Sequence, residues 1–365
     1  MTRRSLTLLP ALAASLFAAD FETGAVKQSD GAQFDRNTIP QVARLGDGRL
    51  FAVWGVYAKG SGDGRIYGAF SQDSGKTWSD PRLMIDDPKF NDGDPNILVD
   101  GSKVFVYATR VTIPNDIFKS RTTYTKSEDN GQTWSPVGEI SIPRQYTPGK
   151  QHNGIRLSDG TYCMGISWDL WPEKGMRART EGEMNLASGV LRSTNGVEWT
   201  LHGNIHVYLE KLTPFSTNGL AEPSLVELED GEILMYLRSG GSRHYESRSR
   251  DGGLTWSAPV PSPLVGHNTP TALWRLQQNP KEIVAVWNSS VLQRFPLSVA
   301  VSSDGGRTWS KQRHLANPGL QASYPGLTQA VDGTIVAVWQ QALPNGGRDI
   351  RWARFTREWA LGLTR

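Results

Sequence analysis

One eight-residue pattern, Ser-x-Asp-x-Gly-x-Thr-Trp, recurs along the chain at Ser71 to Trp78, Ser127 to Trp134, Ser249 to Trp256 and Ser302 to Trp309. A worn copy runs from Arg192 to Trp199, with Thr194 at the Asp position. Successive Trp residues are 56, 65, 57 and 53 positions apart. A second pattern, Asp-Gly followed by an apolar strand, alternates with the first. It stands at Asp47-Gly48, Asp100-Gly101, Asp159-Gly160, Asp230-Gly231 and Asp332-Gly333. The run from Lys281 to Trp287 supplies a sixth such strand without the Asp-Gly. Asp-Gly between two apolar runs is a hairpin signal, because Gly adopts positive φ without a steric penalty. Each unit therefore has one early hairpin and one later turn, which makes four strands.

A single four-stranded unit cannot bury both its faces, so like units must stack. Six of them arranged radially give an all-β, six-bladed β-propeller with four-stranded antiparallel blades. Residues 20–365 then form one domain, although the length of 365 residues favours about two by size alone. The last unit, Tyr324 to Phe355, has no box. A strand near Phe21 to Gln28 is expected to complete it. Within a box, the Asp carboxylate accepts turn amides, Gly permits the bend and Trp fills the gap between sheets. These are structural turns, not metal sites.

Composition narrows the class further. The 38 Gly, 21 Pro and 13 Trp suit short strands and tight turns. A net charge of +3 gives no reason to expect nucleic acid as a partner. Cys163 is the one cysteine, so no internal disulfide forms, and a strand context predicts a buried, inert thiol. Arg3 and Arg4, the apolar run Leu8 to Phe17, and Ala18-Ala19 before Asp20 have the form of a secretory signal peptide, residues 1–19. The run is too short to span a bilayer. The expected product is a secreted or periplasmic protein, without stable membrane insertion and monomeric.

Boxes of this kind on four-stranded units resemble those of the sialidase (neuraminidase) superfamily, in its bacterial BNR-repeat branch. The resemblance covers nearly the whole chain after residue 19. It implies three arginines that hold a substrate carboxylate, a Tyr nucleophile, a Glu that activates it and an Asp acid/base. Ala221-Glu222-Pro223 before the Asp230-Gly231 hairpin, and Leu237-Arg238-Ser239 on the return strand, match the family's Glu and second arginine. Arg294, ahead of the last box, matches the third arginine, and Tyr324 in Ser323-Tyr324-Pro325 matches the nucleophile. The first arginine departs from the pattern. Where the family has Arg-Ile-Pro, this chain has Thr38-Ile39-Pro40. Arg36 lies two residues earlier, on the same face of the strand and about 6.6 Å away. For the acid/base, Asp63 is the first candidate and Asp94 the second.

These types suit a terminal acidic sugar. Guanidinium groups bind carboxylates bidentately. A neutral Tyr avoids the like-charge repulsion that an Asp or Glu nucleophile would meet beside an anomeric carboxylate. Its free pKa near 10 calls for a base. The resemblance implies an exo-acting glycoside hydrolase working with retention, sialic acid as leading substrate, an acidic glycan or glycoconjugate as partner, and neither cofactor nor metal. Thr38 keeps two rivals open, a hydrolase or lyase for another acidic sugar such as a uronic acid, and a propeller that only binds glycans. His152 and Asn153, His244 and Tyr245, and His267 and Asn268 are read either as funnel lining or as plain loop. Trp168 and Trp171 are read either as sugar-stacking platforms or as packing.

Overall fold

A computed structural model describes residues 20–364, apart from 33, 59–61, 113–119, 143–146, 149–151, 171–184, 210–211 and 215. The expected leader and Trp171 lie outside the described residues. The hairpins and boxes fall where the pattern places them. Blade I is built from Phe34–Arg44, Leu50–Ala58, Gly64–Ser71 and Arg82–Ile85. Blade II has Phe90–Asp100, Lys103–Thr112, Arg121–Ser127 and Gly138–Ile140. In blade III the innermost strand is split into Thr147–Pro148 and Ile155–Arg156, both paired with Tyr162–Asp169, and Asn185–Ser193 and Thr200–Ile205 follow. Blade IV has Asn218–Glu227, Ile233–Ser239, Arg243–Ser249 and Val260–Val265. Blade V has Thr271–Arg275, Ile283–Asn288, Leu297–Ser302 and Arg313–Ala316. Blade VI takes Ala322–Gln329, Ile335–Ala342 and Arg348–Phe355 from the end of the chain.

The ring closes as expected. The strand Phe21–Lys27 adds antiparallel to Arg348–Phe355, from Phe21 opposite Phe355 to Ala25 opposite Arg351. It supplies the fourth strand that blade VI lacks. A short helix, Arg357–Ala360, then stacks Trp359 on Phe21 at 4.3 Å between ring centroids. The innermost strands touch from I to II, II to III, IV to V, V to VI and VI to I, and the circuit is completed between III and IV by Tyr162–Asp169 and Asn185–Ser193 against Asn218–Glu227.

The core is divided among the seams. Apolar clusters fill each one: Phe51 and Val106 between blades I and II, Tyr107 and Met164 between II and III, Cys163 and Met235 between III and IV. Tyr236 and Ala285 lie between IV and V, Val299 and Trp339 between V and VI, and Val338 and Val42 between VI and I. Cys163 is fully buried, and burial pushes its thiol pKa up to about 12, so the thiolate that reactivity needs is disfavoured.

The boxes work as the residue types dictate. Asp73 Oδ1 accepts from Ser71 Oγ (2.8 Å) and the Thr77 amide (2.9 Å), and Trp78 Nε1 donates to Gly75 O (3.1 Å). Asp129, Asp251 and Asp304 repeat this. The worn copy is corrected in one detail. Asn195, not Thr194, plays the Asp part, accepting the amides of Val197 and Glu198, and Ser193 plays the Ser part. That box is one residue shorter than the others. Box residues reach the preceding blade, as Trp309 Nε1 does in bonding Tyr236 OH at 3.2 Å.

Candidate active site

Four innermost strands break register at the same place. The interruptions fall between Thr38 and Gln41, Gly93 and Asn96, Ala221 and Ser224, and Ser323 and Gly326. Each bulge holds a residue followed by proline: Ile39-Pro40, Asp94-Pro95, Glu222-Pro223 and Tyr324-Pro325. Proline cannot donate to a ladder, so an inner strand accepts it only at a bulge. The residue before it is left-handed in all four, with φ of 48°, 51°, 50° and 60°. For a side chain with a Cβ this costs on the order of 1–3 kcal/mol, a strain that concentrates at functional sites. Asn268, φ 51°, has the same backbone just ahead of the inner strand of blade V.

Three of these strained positions are joined in one network. Arg238 Nη1 donates to Glu222 Oε1 at 2.8 Å, in an ion pair whose members are 1% and 5% exposed. Its Nε and Nη2 both donate to Asn268 Oδ1, at 3.0 and 2.8 Å. Arg294 Nη2 donates to the Asn268 carbonyl (2.9 Å), and Nη1 to the Tyr324 hydroxyl (3.2 Å). The Arg294 guanidinium also lies 5.2 Å from the Tyr324 ring centroid. Blades IV, V and VI thus bring Glu222, Arg238, Arg294 and Tyr324 together, with Asn268 as the bridge. Arg238 is closed off from solvent and holds Glu222 in place. The Glu222 amide is fixed in turn by Ser167 Oγ of blade III at 2.8 Å.

Asp63 sits at another corner. It lies just before the third strand of blade I and meets Arg65 at 3.6 Å. Its neighbour Gly64 packs on Asn91 and Asp92 of blade II, two residues from Asp94. Asp63 and Asp94 therefore share the seam between blades I and II. Asp92 itself is committed to Arg110, which donates Nε and Nη2 to its two oxygens at 2.7 and 2.8 Å. Arg36 is exposed, 6.0 Å from the Tyr57 ring centroid and in parallel register with Arg348. Thr38, in the place of the family arginine, is buried and donates to Gly55 O at 3.4 Å.

The other loop residues have mainly structural partners. His152 and Asn153 are buried at the axis. Asn153 ties Ile97 of blade II to Val42 of blade I, and His152 reaches Leu273 O of blade V at 2.8 Å. His244 is sealed in the IV–V seam beside Thr271, and Trp168 in the core between blades II and III. Tyr245 packs in the III–IV core, and His267 bonds Ser216 Oγ and Gly241 O. A cavity of about 500 Å³ lies at the other ends of the inner strands, lined by His152, Arg156, Glu227, Trp274 and Arg275 among others. None of the six candidates lines it, and the network of Glu222, Arg238, Arg294 and Tyr324 stands at the bulge end. Sequence reasoning underrated Asn268, which joins Arg238 to Arg294. The Pro270 that follows Asn268 was a usable signal.

The model of the BNR repeat-like domain family matches residues 48–337. A sialidase of Paraclostridium sordellii is 28% identical over 260 residues, 63% of this chain and 59% of the relative. A sialidase of Micromonospora viridifaciens is 25% identical over 368 residues, 90% of this chain and 53% of the relative. The chain thus spans little more than half the length of these two curated relatives. A Hadza microbial sialidase superposes with a TM-score of 0.74 at 18% identity, over 93% of this chain and 69% of its own. A protein of unknown function from Dyadobacter fermentans does so with a TM-score of 0.73 at 15% identity, over 92% and 99%. At such identities the superpositions speak for the fold.

Proposed function

The chain belongs to the BNR repeat-like family, with a sialidase-like propeller, and from that premise we propose that it is an exo-acting glycoside hydrolase that removes a terminal acidic sugar. Sialic acid is the leading substrate, after the names of the relatives. The observation that carries the reading is the linked pair of contacts at the bulges, Arg238 on Glu222 and Arg294 on Tyr324, bridged by Asn268.

In the proposed reaction the Tyr324 oxygen attacks the anomeric carbon as its proton passes to Glu222, and the bond to the leaving oxygen breaks. Arg294, already donating to the Tyr324 oxygen, stabilises negative charge there. The carboxyl at the I–II corner, Asp63 with Asp94 as the alternative, protonates the leaving oxygen. It then takes a proton from water as the glycosyl–tyrosine bond is hydrolysed, while Glu222 returns its proton to the departing Tyr324 oxygen. Two displacements give retained configuration. Export after cleavage near Ala18 or Ala19 belongs to the same proposal. No helix among the described residues is long and apolar enough to cross a membrane. Thr38 supports a second reading, a uronic acid as the acidic sugar.

The deciding experiment incubates the purified protein and its Tyr324→Phe variant with a fluorogenic α-sialoside. Turnover by the parent, absent from the variant, supports the reading. Equal turnover by both removes Tyr324 as nucleophile. Product with a new ultraviolet absorbance indicates a lyase, and no turnover of any α-sialoside or uronide overturns the hydrolase.

A further inference from the structure

Thr38 removes one cation from the family's carboxylate clamp, and Arg238 is sealed against Glu222 and Asn268 at 1% exposure. Arg294 is the one of the three expected sites that still holds a guanidinium against the tyrosine. We infer that Arg348, from the third strand of blade VI, is a substrate-binding residue, which with Arg294 and Arg36 forms a carboxylate clamp on the Tyr324 side of the mouth. The inference rests on the acidic-sugar reading above.

Backbone geometry places Arg348 beside Arg36, and the Arg294 carbonyl accepts the Ala322 amide at 2.9 Å, at the start of the blade VI strand whose neighbour pairs with Arg348 through Ala342. Arg348 pairs in parallel register with Arg36 where the third strand of blade VI meets the first of blade I. Arg36 is in turn opposite Tyr57 in blade I. Arg348 lies within electrostatic reach of Arg36, Arg294, Tyr324 and Tyr57. Partial burial, reinforced by Arg36 and Arg294, holds its pKa below the usual guanidinium value. Among the described residues none of the three arginines has a carboxylate ion-pair partner. Buried arginines elsewhere do: Arg110 has Asp92, Arg238 has Glu222 and Arg354 has Glu22. Arg294 holds the Tyr324 hydroxyl, and Arg348 feels the like charges of both Arg294 and Arg36, a repulsion that a bound anion would relieve. A carboxylate is the anion that matches guanidinium forks in charge and plane.

The position is also rigid. The Arg348 carbonyl accepts Asn37 Nδ2 at 2.8 Å, and Asn37 Oδ1 accepts the buried Trp54 Nε1 at 3.1 Å. The next residue, Asp349, accepts the Ser29 amide at 2.8 Å. A fixed backbone leaves only the side-chain rotamers of Arg348 to be ordered on binding, which limits the entropic cost. The clamp then draws on blades V, VI and I, and the lost arginine of blade I is replaced across the closing seam.

The test is calorimetric titration of the parent, Arg348→Ala, Arg348→Lys and Arg36→Ala with N-acetylneuraminic acid, glucuronic acid and the methyl ester of each. Kinetics on the fluorogenic α-sialoside and thermal melts run alongside. The parent is expected to prefer an acid to its ester. Arg348→Ala weakens acid binding by about 10- to 100-fold, the range for a charge-assisted contact, leaves ester binding as it was and raises KM more than it lowers kcat. Arg348→Lys keeps the charge without the fork and falls between, which also guards against a misfolded alanine variant. Acid binding unchanged in a folded Arg348→Ala protein overturns the inference, whatever the turnover. Arg348-dependent acid binding without turnover upholds it and overturns the hydrolase. A parent that binds neither acid overturns both.

Discussion

At the scale of single residues, Arg238 is the side chain with most to lose. Its guanidinium is buried with Glu222 as ion-pair partner and Asn268 as double acceptor. Removing one member of such a pair strands the other charge without compensation. Arg238→Met should therefore cost about 3–5 kcal/mol of stability, read by urea unfolding, and the double variant with Glu222→Gln should recover part of it. A loss below about 1 kcal/mol would show that Glu222 is well hydrated at this site. The two residues were legible in the sequence because each sits in a recognisable local context, Glu222 before Pro223 and Arg238 at the end of an apolar return strand. Arg348 was not. It follows an Asn-Gly-Gly turn and carries no motif, and only the parallel meeting of the first and last blades gives it neighbours.

At the scale of strands, the bulges do the positioning, and they lean on one another. A Cβ at Gly165 of blade III would stand 2.6 Å from Pro223 Cγ and 2.7 Å from the Pro223 carbonyl. Gly165→Ala should thus press on the bulge that carries Glu222. It is expected to lower stability by about 1–3 kcal/mol, as overpacking does, and to cut kcat more than a core change of equal stability cost made at Ile283. Equal losses would separate the bulge from the chemistry. The four residue–proline pairs were present in the sequence as a signal for these bulges, and they mark Asp94 as well as Glu222 and Tyr324. The boxes and Asp-Gly hairpins were legible because their chemistry is local, whereas the Asn268 bridge depends on two different blades. The strand seams also set a pH response. Burial lowers the His244 imidazole pKa to about 4, against about 6.5 in an unfolded chain. Folding then favours the neutral ring. Stability from this residue is complete above pH 6.5 and is lost as pH falls toward 4, by about 3 kcal/mol at the limit. Buried His152, also shifted down by burial, adds in the same direction. Melting curves at pH 7 and pH 4.5 should differ less for His244→Gln than for the parent, and an unchanged difference would sink the assignment.

At the scale of the whole ring, closure hangs on a pairing between opposite ends of the described chain. Phe21–Lys27 covers the edge that Arg348–Phe355 would otherwise expose, and Phe21 stacks on Trp359. An uncovered strand edge is a template for association. Deleting residues 20–27 should lower the melting temperature and produce higher oligomers in size-exclusion chromatography. Phe21→Ala alone should cost about 1–2 kcal/mol, less than a fully buried aromatic because Phe21 is half-buried. A truncated protein that melts and elutes like the parent would mean that the helix Arg357–Ala360 seals the ring by itself. The closing strand was read from the missing box of the last unit, an inference from counting.

The same pairing has a kinetic side. The closing strand Phe21–Lys27 is made ahead of the six blades and finds its partner only when the last of them has been made, so the propeller stays an open arc until then. Contacts of such sequence separation slow folding, and the loop that must close is nearly the whole chain. The Thr356 amide already donates to the Asp20 carbonyl at 3.1 Å, so the two ends stand side by side. A circular permutant that joins residue 364 to residue 20 by a short linker would turn the most distant contact of the ring into a neighbouring one, and it should refold faster than the natural order of strands.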